Sequence, residues 1–276
     1  MYTLNILPSP DDERDYHFRP EFAASSLVPP TLDLRDGLLP VRDQGKQGTC
    51  FACSCAAMKE YQDRQTEYLS PQFFYNLRSN ILDTDPTNDE GMFPRDALRL
   101  LRQKGMCREV TFPYKSMGDI PPEAFTEALD HRIGSYVRIE RPEELQASLF
   151  YHGPALICFP VYNTGMQMWR TNINGQYQGG HAMLVVGYDQ DGFHLQNSWG
   201  SDWGNGGYTY YPLFDWTSHW ECWSVVDDTN SADVEKKPSH NADLEEDSSD
   251  ETGELNEEEE EEEDYQWQCP SSCTVG

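Results

Sequence analysis

The sequence lacks both the long apolar run and the basic surface that two large classes of protein require. No apolar segment among its 276 residues approaches the roughly 20 residues of a membrane-spanning helix. Only 20 residues are Lys or Arg, against 48 Asp or Glu, whereas nucleic-acid phosphates are bound by clustered cations. We therefore expect a protein that binds neither nucleic acid nor membrane.

The sequence also lacks a secretory signal and a disulfide framework. The first eight residues, Met1 to Pro8, contain no basic region and no sustained apolar stretch. The eight cysteines show no framework spacing, and the one close pair in the tail, Cys269 and Cys273, has no histidine or second cysteine pair nearby. These absences favour reduced thiols, an intracellular location and a protein without a metal or other cofactor.

Most of the negative charge is concentrated near the C-terminus. Residues 227–264 contain 19 acidic residues and two lysines, and so carry −17 of the formal charge of −28. Seven consecutive glutamates occupy 257–263. Such a segment cannot bury enough apolar surface to offset its ordering entropy. We predict that 228–276 form a disordered acidic tail, whose partner the sequence does not identify.

Before the tail, the secondary-structure signals in the sequence change halfway along the chain. Residues 1–28 predict an extended, proline-punctuated arm. Helix signals dominate the first half, including an Ala-rich apolar stretch that starts near Thr49 and a Ser70-Pro71 helix start. Apolar, strand-like runs such as 155–161 dominate the second half. Helices followed by strands predict the α+β class.

Three segments carry residues suited to catalysis by a thiol. Cys50 follows Gln44 by six residues and stands at the predicted helix start, where the helix dipole favours a thiolate. His181 opens an apolar run, and Asn197 begins Asn-Ser-Trp-Gly. His181 lies 131 residues after Cys50, and Asn197 lies 147 residues after it. This order and spacing are typical of the papain-type triad.

Residues 30 to about 226 resemble the papain/cathepsin family of cysteine peptidases. The resemblance implies a two-lobed fold, with a helical lobe at about 48–130, a β-barrel-like lobe at about 131–227 and a cleft between them. Together these form a peptidase domain at 29–227. It implies no cofactor, and a protein or peptide as substrate. We expect an endopeptidase that acts as a monomer.

The resemblance also assigns residues to roles. Cys50 would be the nucleophile, His181 its proton-transfer partner and Asn197 the residue that orients His181. Gln44 would act with the Cys50 backbone N–H on the oxyanion, and Trp199 would shield the Asn–His hydrogen bond. Residues that would line the substrate cleft are Gly91, Met92, Phe93, Pro94, Cys158, Gly180 and Ala182. Among them, Phe93, Pro94, Cys158 and Ala182 would line the pocket for the residue two before the scissile bond, and the apolar character of these four predicts an apolar side chain there.

The sequence departs from the family pattern near the nucleophile. Gln47 replaces a cysteine that usually forms a disulfide, Phe51 replaces a tryptophan, and Met92 replaces the second glycine of a Gly-Gly pair. The first change supports the intracellular interpretation, and the last could narrow the cleft. The long pro-region of lysosomal relatives has no counterpart in this sequence.

Several alternatives remain open at the level of sequence. The arm at 1–28 is either a surface strap or a segment that partly blocks the cleft, and we take partial autoinhibition as the hypothesis. The same fold could catalyse transpeptidation or deamidation. It could also serve as a catalytically silent binding scaffold with an acidic interaction tail, or the tail itself could be the functional element of an acidic chaperone-like protein.

Overall fold

The computed structural model describes residues 3–18, 27–78, 89, 91–116, 118–171 and 175–227. All of them belong to the unit formed by residues 1–235. The predicted acidic tail at 228–276 therefore lies outside the described residues, and so do Cys269 and Cys273.

Four of the five α-helices in the described residues begin at a proline, and the first begins at Cys50. They are α1 (Cys50–Gln62), α2 (Pro71–Asn76), α3 (Pro94–Lys104), α4 (Pro122–Ala128) and α5 (Pro142–His152). Proline suits a first helical position because its missing N–H would have no partner there. Ser70 caps α2 as predicted, since its hydroxyl accepts a hydrogen bond from the Phe73 backbone N–H at 3.0 Å. Short 3-10 helices lie at Arg35–Gly37, Leu129–His131 and Leu213–Ser218.

Helix α1 is central because it is buried on nearly every side. Ten of its 13 residues are buried, and the helix packs against α2 and the strand that carries His181. A helix that is apolar all round is stable only inside a core. The position of Cys50 is therefore fixed by surrounding packing on most sides of the helix.

The strands form one antiparallel sheet. They are β1 (Leu32–Asp33), β2 (Ile133–Ile139), β3 (Ala155–Val161), β4 (Gly179–Tyr188), β5 (Gly192–Gln196), β6 (Tyr208–Pro212) and β7 (Glu221–Asp227). Their order is β2-β7-β3-β4-β5-β6, and β1 pairs with β4. Within the described residues the sheet stays open and does not close into a barrel. The α+β class predicted from the sequence is confirmed.

Alternating side chains divide the core between the two faces of the sheet. In β3, Leu156 and Cys158 join the cluster that contains α1, whereas Ile157 and Phe159 join a second cluster on the other face. This is the period of two expected for a strand. The first cluster brings the start of α1 against β4, and the candidate site lies at this junction.

No helix among the described residues has the length and apolar character needed to cross a membrane. The six cysteines of the described part are all buried and free of disulfides.

Candidate active site

Cys50 is the first residue of α1, and its side chain is fully buried. Burial raises the pKa of the Cys50 thiol to about 12, although hydrogen bonds from the backbone of Ala182 and the first turn of α1 act to lower it. The start of the helix therefore acts in the direction expected from the sequence. In this state, however, loss of solvent outweighs it.

His181 and Asn197 form a direct hydrogen bond. His181 lies in β4, Asn197 follows the end of β5, and the His181 Nε2 to Asn197 Oδ1 distance is 2.7 Å. The Trp199 ring covers the imidazole, with ring centroids 4.6 Å apart. Burial lowers the pKa of His181 to about 4, and the hydrogen bond with Asn197 offsets only part of this. Among the described residues, His181 Nδ1 is buried and has no hydrogen-bond partner.

Gln44 is held from both ends of its side-chain amide. Its Oε1 accepts a hydrogen bond from Ser198 Oγ at 2.6 Å, and its Nε2 donates to the Gln47 carbonyl at 2.9 Å. Nε2 also lies 3.4 Å from the Thr3 carbonyl oxygen, to which it donates. Because the Ser198 hydroxyl occupies Oε1, the amide N–H groups must face Gln47 and Thr3.

The N-terminal arm lies across this site. Asn5 pairs with Gly180 and Ile6 pairs with Met92, both in parallel bridges. The Ile6 N–H donates to the Gly180 carbonyl at 3.2 Å, and the Leu7 N–H donates to the Met92 carbonyl at 3.4 Å. The arm therefore forms backbone hydrogen bonds with both walls of the cleft, in the manner of an added strand.

The Ile6 side chain is buried in the apolar cluster that also contains Cys50. Ile6 is 1% exposed and belongs to the same buried cluster as Met92, Cys158 and Ala182. Cys158 and Ala182 lie opposite each other on β3 and β4. Three of the residues predicted to line the cleft therefore share one buried cluster with Ile6.

The remaining predicted cleft residues have mixed positions. Gly91 has φ of 78°, and a Cβ there would lie 1.5 Å from the Asn5 carbonyl oxygen. Only glycine allows the arm to pass so closely. Pro94 is buried at the start of α3, whereas Phe93 is half-buried at the N-cap of that helix and lies outside the Ile6 cluster.

Sequence reasoning missed four residues that the structure places in or beside the site. Ser198 lies inside the Asn-Ser-Trp-Gly motif, but serine has so many common uses that its position alone does not predict a contact with Gln44. Ile6 is one of several apolar residues in the arm, and no local pattern distinguishes it. Asp89 and Tyr75 meet through a side-chain hydrogen bond, which neither position could indicate alone.

Solved structures with similar folds include xylellain, a cysteine protease from Xylella fastidiosa. It is 26% identical, with a TM-score of 0.72, and the match covers 81% of this chain and 96% of that one. Procathepsin L 3 from the larval midgut of Tenebrio molitor has a TM-score of 0.62 at 19% identity, covering 77% of this chain and 73% of that one. The fold is therefore papain-like.

Sequence comparisons identify the family. The sequence profile described as papain family cysteine protease matches residues 28–213. Cysteine proteinase B of Leishmania mexicana is 31% identical over 70% of this chain and 46% of its own length. An uncharacterized peptidase C1-like protein of Acanthamoeba polyphaga mimivirus is 28% identical over 62% of this chain and 63% of its own length. The chain thus spans about half to three fifths of these curated relatives, and it belongs to the papain family of cysteine proteases.

Proposed function

We propose that this chain is a cysteine peptidase that hydrolyses peptide bonds with Cys50, His181 and Asn197. The observation that carries the proposal is the 2.7 Å bond between His181 Nε2 and Asn197 Oδ1. Because Nε2 is engaged there, the proton-transfer nitrogen is Nδ1, which is unpartnered among the described residues. Asn197 thus fixes the tautomer and the ring orientation that a cysteine nucleophile needs.

The proposed reaction is acyl transfer in two steps. The Cys50 thiol loses its proton to His181 Nδ1, and the thiolate sulfur bonds to the substrate carbonyl carbon. The Gln44 Nε2 group and the Cys50 backbone N–H donate to the resulting oxyanion. The imidazolium then protonates the leaving amine as the C–N bond breaks. Water, deprotonated by His181, hydrolyses the thioester and restores the thiol.

We also propose that the arm at 1–28 inhibits the peptidase domain at 29–227. The Thr3 carbonyl accepts from Gln44 Nε2, the donor proposed for the oxyanion, and Ile6 fills the adjacent apolar pocket. A substrate would need both positions. The pKa of about 12 for Cys50 and of about 4 for His181 favour the neutral pair while the site is covered. Opening the cleft restores water and permits the thiolate–imidazolium pair.

The pocket supports a preference for an aliphatic side chain two residues before the scissile bond. Ile6 is buried in one apolar cluster with Met92, Cys158 and Ala182. A substrate side chain of similar size would bury a similar apolar area. Peptides with isoleucine, leucine or valine at that position should therefore be cleaved faster than peptides with glycine or aspartate.

The proposal extends to the setting of the enzyme. It acts as a monomeric endopeptidase on protein or peptide chains. Six free, buried cysteines support a reducing, intracellular compartment.

The test compares two neighbouring substitutions in the full-length chain. Ile6→Glu places a carboxylate in the apolar pocket and should expel the arm. Leu7→Glu changes a side chain that is 44% exposed and should leave it bound. We expect Ile6→Glu to raise hydrolysis of an internally quenched peptide by about tenfold or more, because an unpaired buried charge is costly. Cys50→Ala in the same background should abolish it.

An epoxysuccinyl peptide probe and mass spectrometry provide the second readout. A stoichiometric adduct on Cys50 in the Ile6→Glu chain, and little in the Leu7→Glu chain, is the expected result. Equal labelling and equal hydrolysis in the unmodified chain and both variants would refute inhibition by the arm. No labelling and no hydrolysis in any of them would favour the binding scaffold. Amide products formed with an added amine acceptor would instead indicate transpeptidation.

A further inference from the structure

We propose that Asp89 is a positioning residue for Gln44 and acts through the peptide unit that joins Gln47 to Gly48. The inference rests on the proposed role of Gln44 at the oxyanion. It adds an acidic residue from the Met92 side of the cleft, outside the triad, to the machinery that sets the rate of acylation.

The peptide unit between Gln47 and Gly48 faces the site on one side. Its carbonyl oxygen accepts from Gln44 Nε2 at 2.9 Å. The Thr49 N–H donates to the same oxygen at 2.8 Å. Gln44 Nε2 has two hydrogens, so the bond to Gln47 leaves the other one for the Thr3 carbonyl now and for an oxyanion when the arm leaves.

The same peptide unit faces Asp89 on its other side. The Gly48 N–H donates to both carboxylate oxygens of Asp89, at 3.0 Å each. In a planar trans peptide the C=O and N–H point in opposite directions, and the described chain contains no cis peptide bond. Holding the Gly48 N–H toward Asp89 therefore holds the Gln47 carbonyl toward Gln44. A charged acceptor makes this a strong hydrogen bond.

Asp89 is itself fixed to the protein by Tyr75. The Tyr75 hydroxyl donates to Asp89 Oδ1 and accepts from the Gly91 N–H at 3.3 Å. Tyr75 is buried in α2. A rigid helix thus supports the carboxylate, even though Asp89 itself is exposed.

Among the described residues, no disulfide fixes the orientation of the Gln47–Gly48 peptide. Gln47 stands where the family usually has a disulfide cysteine, and the six described cysteines are free. The loop before Cys50 has backbone bonds of its own, including Gln44 N–H to the Ser198 carbonyl at 2.8 Å. Across the Gln47–Gly48 peptide, Asp89 is the charged partner that sets which way the plane points.

The expected loss of kcat depends on how much hydrogen-bond acceptor the residue at position 89 still offers to the Gly48 N–H. In the Ile6→Glu chain, Asp89→Ala should lower kcat for amide hydrolysis by about tenfold, and Asp89→Asn by less, because the asparagine oxygen still accepts one bond. KM should change less than kcat. Alkylation of Cys50 by iodoacetamide, which forms no oxyanion, should keep its rate. The matched control is Asp96→Asn, a half-buried acid on α3 paired with Arg99, which should change neither.

The inference requires that Asp89 affects activity only through Gln44. In chains that already carry Gln44→Ala, Asp89→Ala should cost no further activity. NMR of the otherwise unmodified full-length chain gives a readout independent of activity. Asp89→Ala should move the two Gln44 side-chain NH₂ signals together and speed their exchange with solvent, whereas Asp96→Asn should not.

Two outcomes would overturn the inference. One is unchanged Gln44 NH₂ signals in Asp89→Ala. The other is an equal loss of hydrolysis and alkylation, which would mean that Asp89 only supports the loop. If the Ile6→Glu chain hydrolyses nothing, the proposed function fails, while the NMR signals still decide the role of Asp89.

Discussion

Two titratable side chains, Cys50 and His181, show how burial sets chemistry at single residues. Both are fully buried. Desolvation disfavours the charged form of each, so the pKa of Cys50 rises to about 12 and the pKa of His181 falls to about 4. At neutral pH the covered site therefore holds a thiol and a neutral imidazole. Under the proposed mechanism, the thiolate–imidazolium pair becomes favourable when water or a substrate dipole replaces the arm.

Titration of His181 tests this directly. In the full-length chain the imidazole should titrate near pH 4, which is below the ordinary value of about 6.5. In the Ile6→Glu chain its pKa should rise, because the ring regains solvent. The NMR shift of the ring carbon Cε1 against pH measures both. His219 is an internal reference, since burial also lowers its pKa to about 4 and it packs against Tyr211 and Trp216.

The same pKa values of His181 determine whether a fall in pH favours the covered or the open form of the site. A proton that binds more tightly to the open form than to the covered form favours opening. Opening should therefore become more favourable as the pH falls from about 6.5 to about 4, by at most about tenfold per pH unit. An unchanged His181 pKa in Ile6→Glu would show that the arm does not cause the desolvation.

The arm is the element on which the proposed inhibition depends, and it is attached at two places. Residues 3–7 cross the cleft. Farther along, Asp15 accepts from Arg95 Nε and Nη2 at 2.6 and 2.5 Å, and Arg138 Nε lies 3.6 Å from its carboxylate. Arg95 belongs to α3 and Arg138 to β2. One carboxylate, 7% exposed, thus links the arm to both the helices and the sheet.

Asp15→Asn should weaken this attachment. While the arm is bound, the substitution leaves partly buried Arg95 without a carboxylate, whereas Arg138 keeps its ion pair with Glu221 at 3.0 Å. When the arm is released, Arg95 can be solvated, so the cost falls on the covered form. We expect basal peptide hydrolysis to rise by about tenfold. Asp12→Asn is the control, because exposed Arg14 is the hydrogen-bond partner of Asp12 and its loss should change little. Equal rates for the two variants would remove Asp15 from the regulation.

The elements differ in how well the sequence predicts them. Helix α1 and strands β3 and β4 follow from uniform apolar composition, and α2 follows from Ser70 and Pro71, because these are local signals. Cys50, His181 and Asn197 were located by spacing within a recognised pattern. The register of the arm was not predictable, since an extended segment has no period that selects Ile6 over Leu4 or Leu7. Its register is set by the pocket and by Gly91, which come from distant parts of the chain.

At the scale of the whole molecule, a buried ion pair ties distant segments to the central helix. Arg42 donates to both carboxylate oxygens of Glu60 in α1, at 2.9 and 2.6 Å, and also to the Leu69 carbonyl at 2.7 Å. Glu60 in turn accepts from the Leu69 N–H at 2.7 Å. Desolvation raises the pKa of Glu60, although Arg42 opposes the shift. The pair therefore fixes geometry at an energetic cost, and its value lies in joining three segments behind Cys50.

The variants Glu60→Gln and Arg42→Met, made singly and together, measure how much the pairing of the two charges contributes to the free energy of unfolding. Glu60→Gln leaves Arg42 with only the 3.5 Å contact to Glu109, and Arg42→Met leaves the buried Glu60 carboxylate without its cation. Either single change should lower the free energy of unfolding by about 3 kcal/mol. In the double variant both charges are gone, while glutamine can still bond to the Leu69 N–H and carbonyl. The double variant should therefore lose less free energy of unfolding than the two single variants lose in sum, by about 1–3 kcal/mol. Urea unfolding followed by tryptophan fluorescence measures all four chains, with Glu143→Gln on the exposed start of α5 as the control for loss of a surface carboxylate. Additive losses would mean that Arg42 and Glu60 act separately, and that packing around α1, rather than their pairing, holds the three segments together.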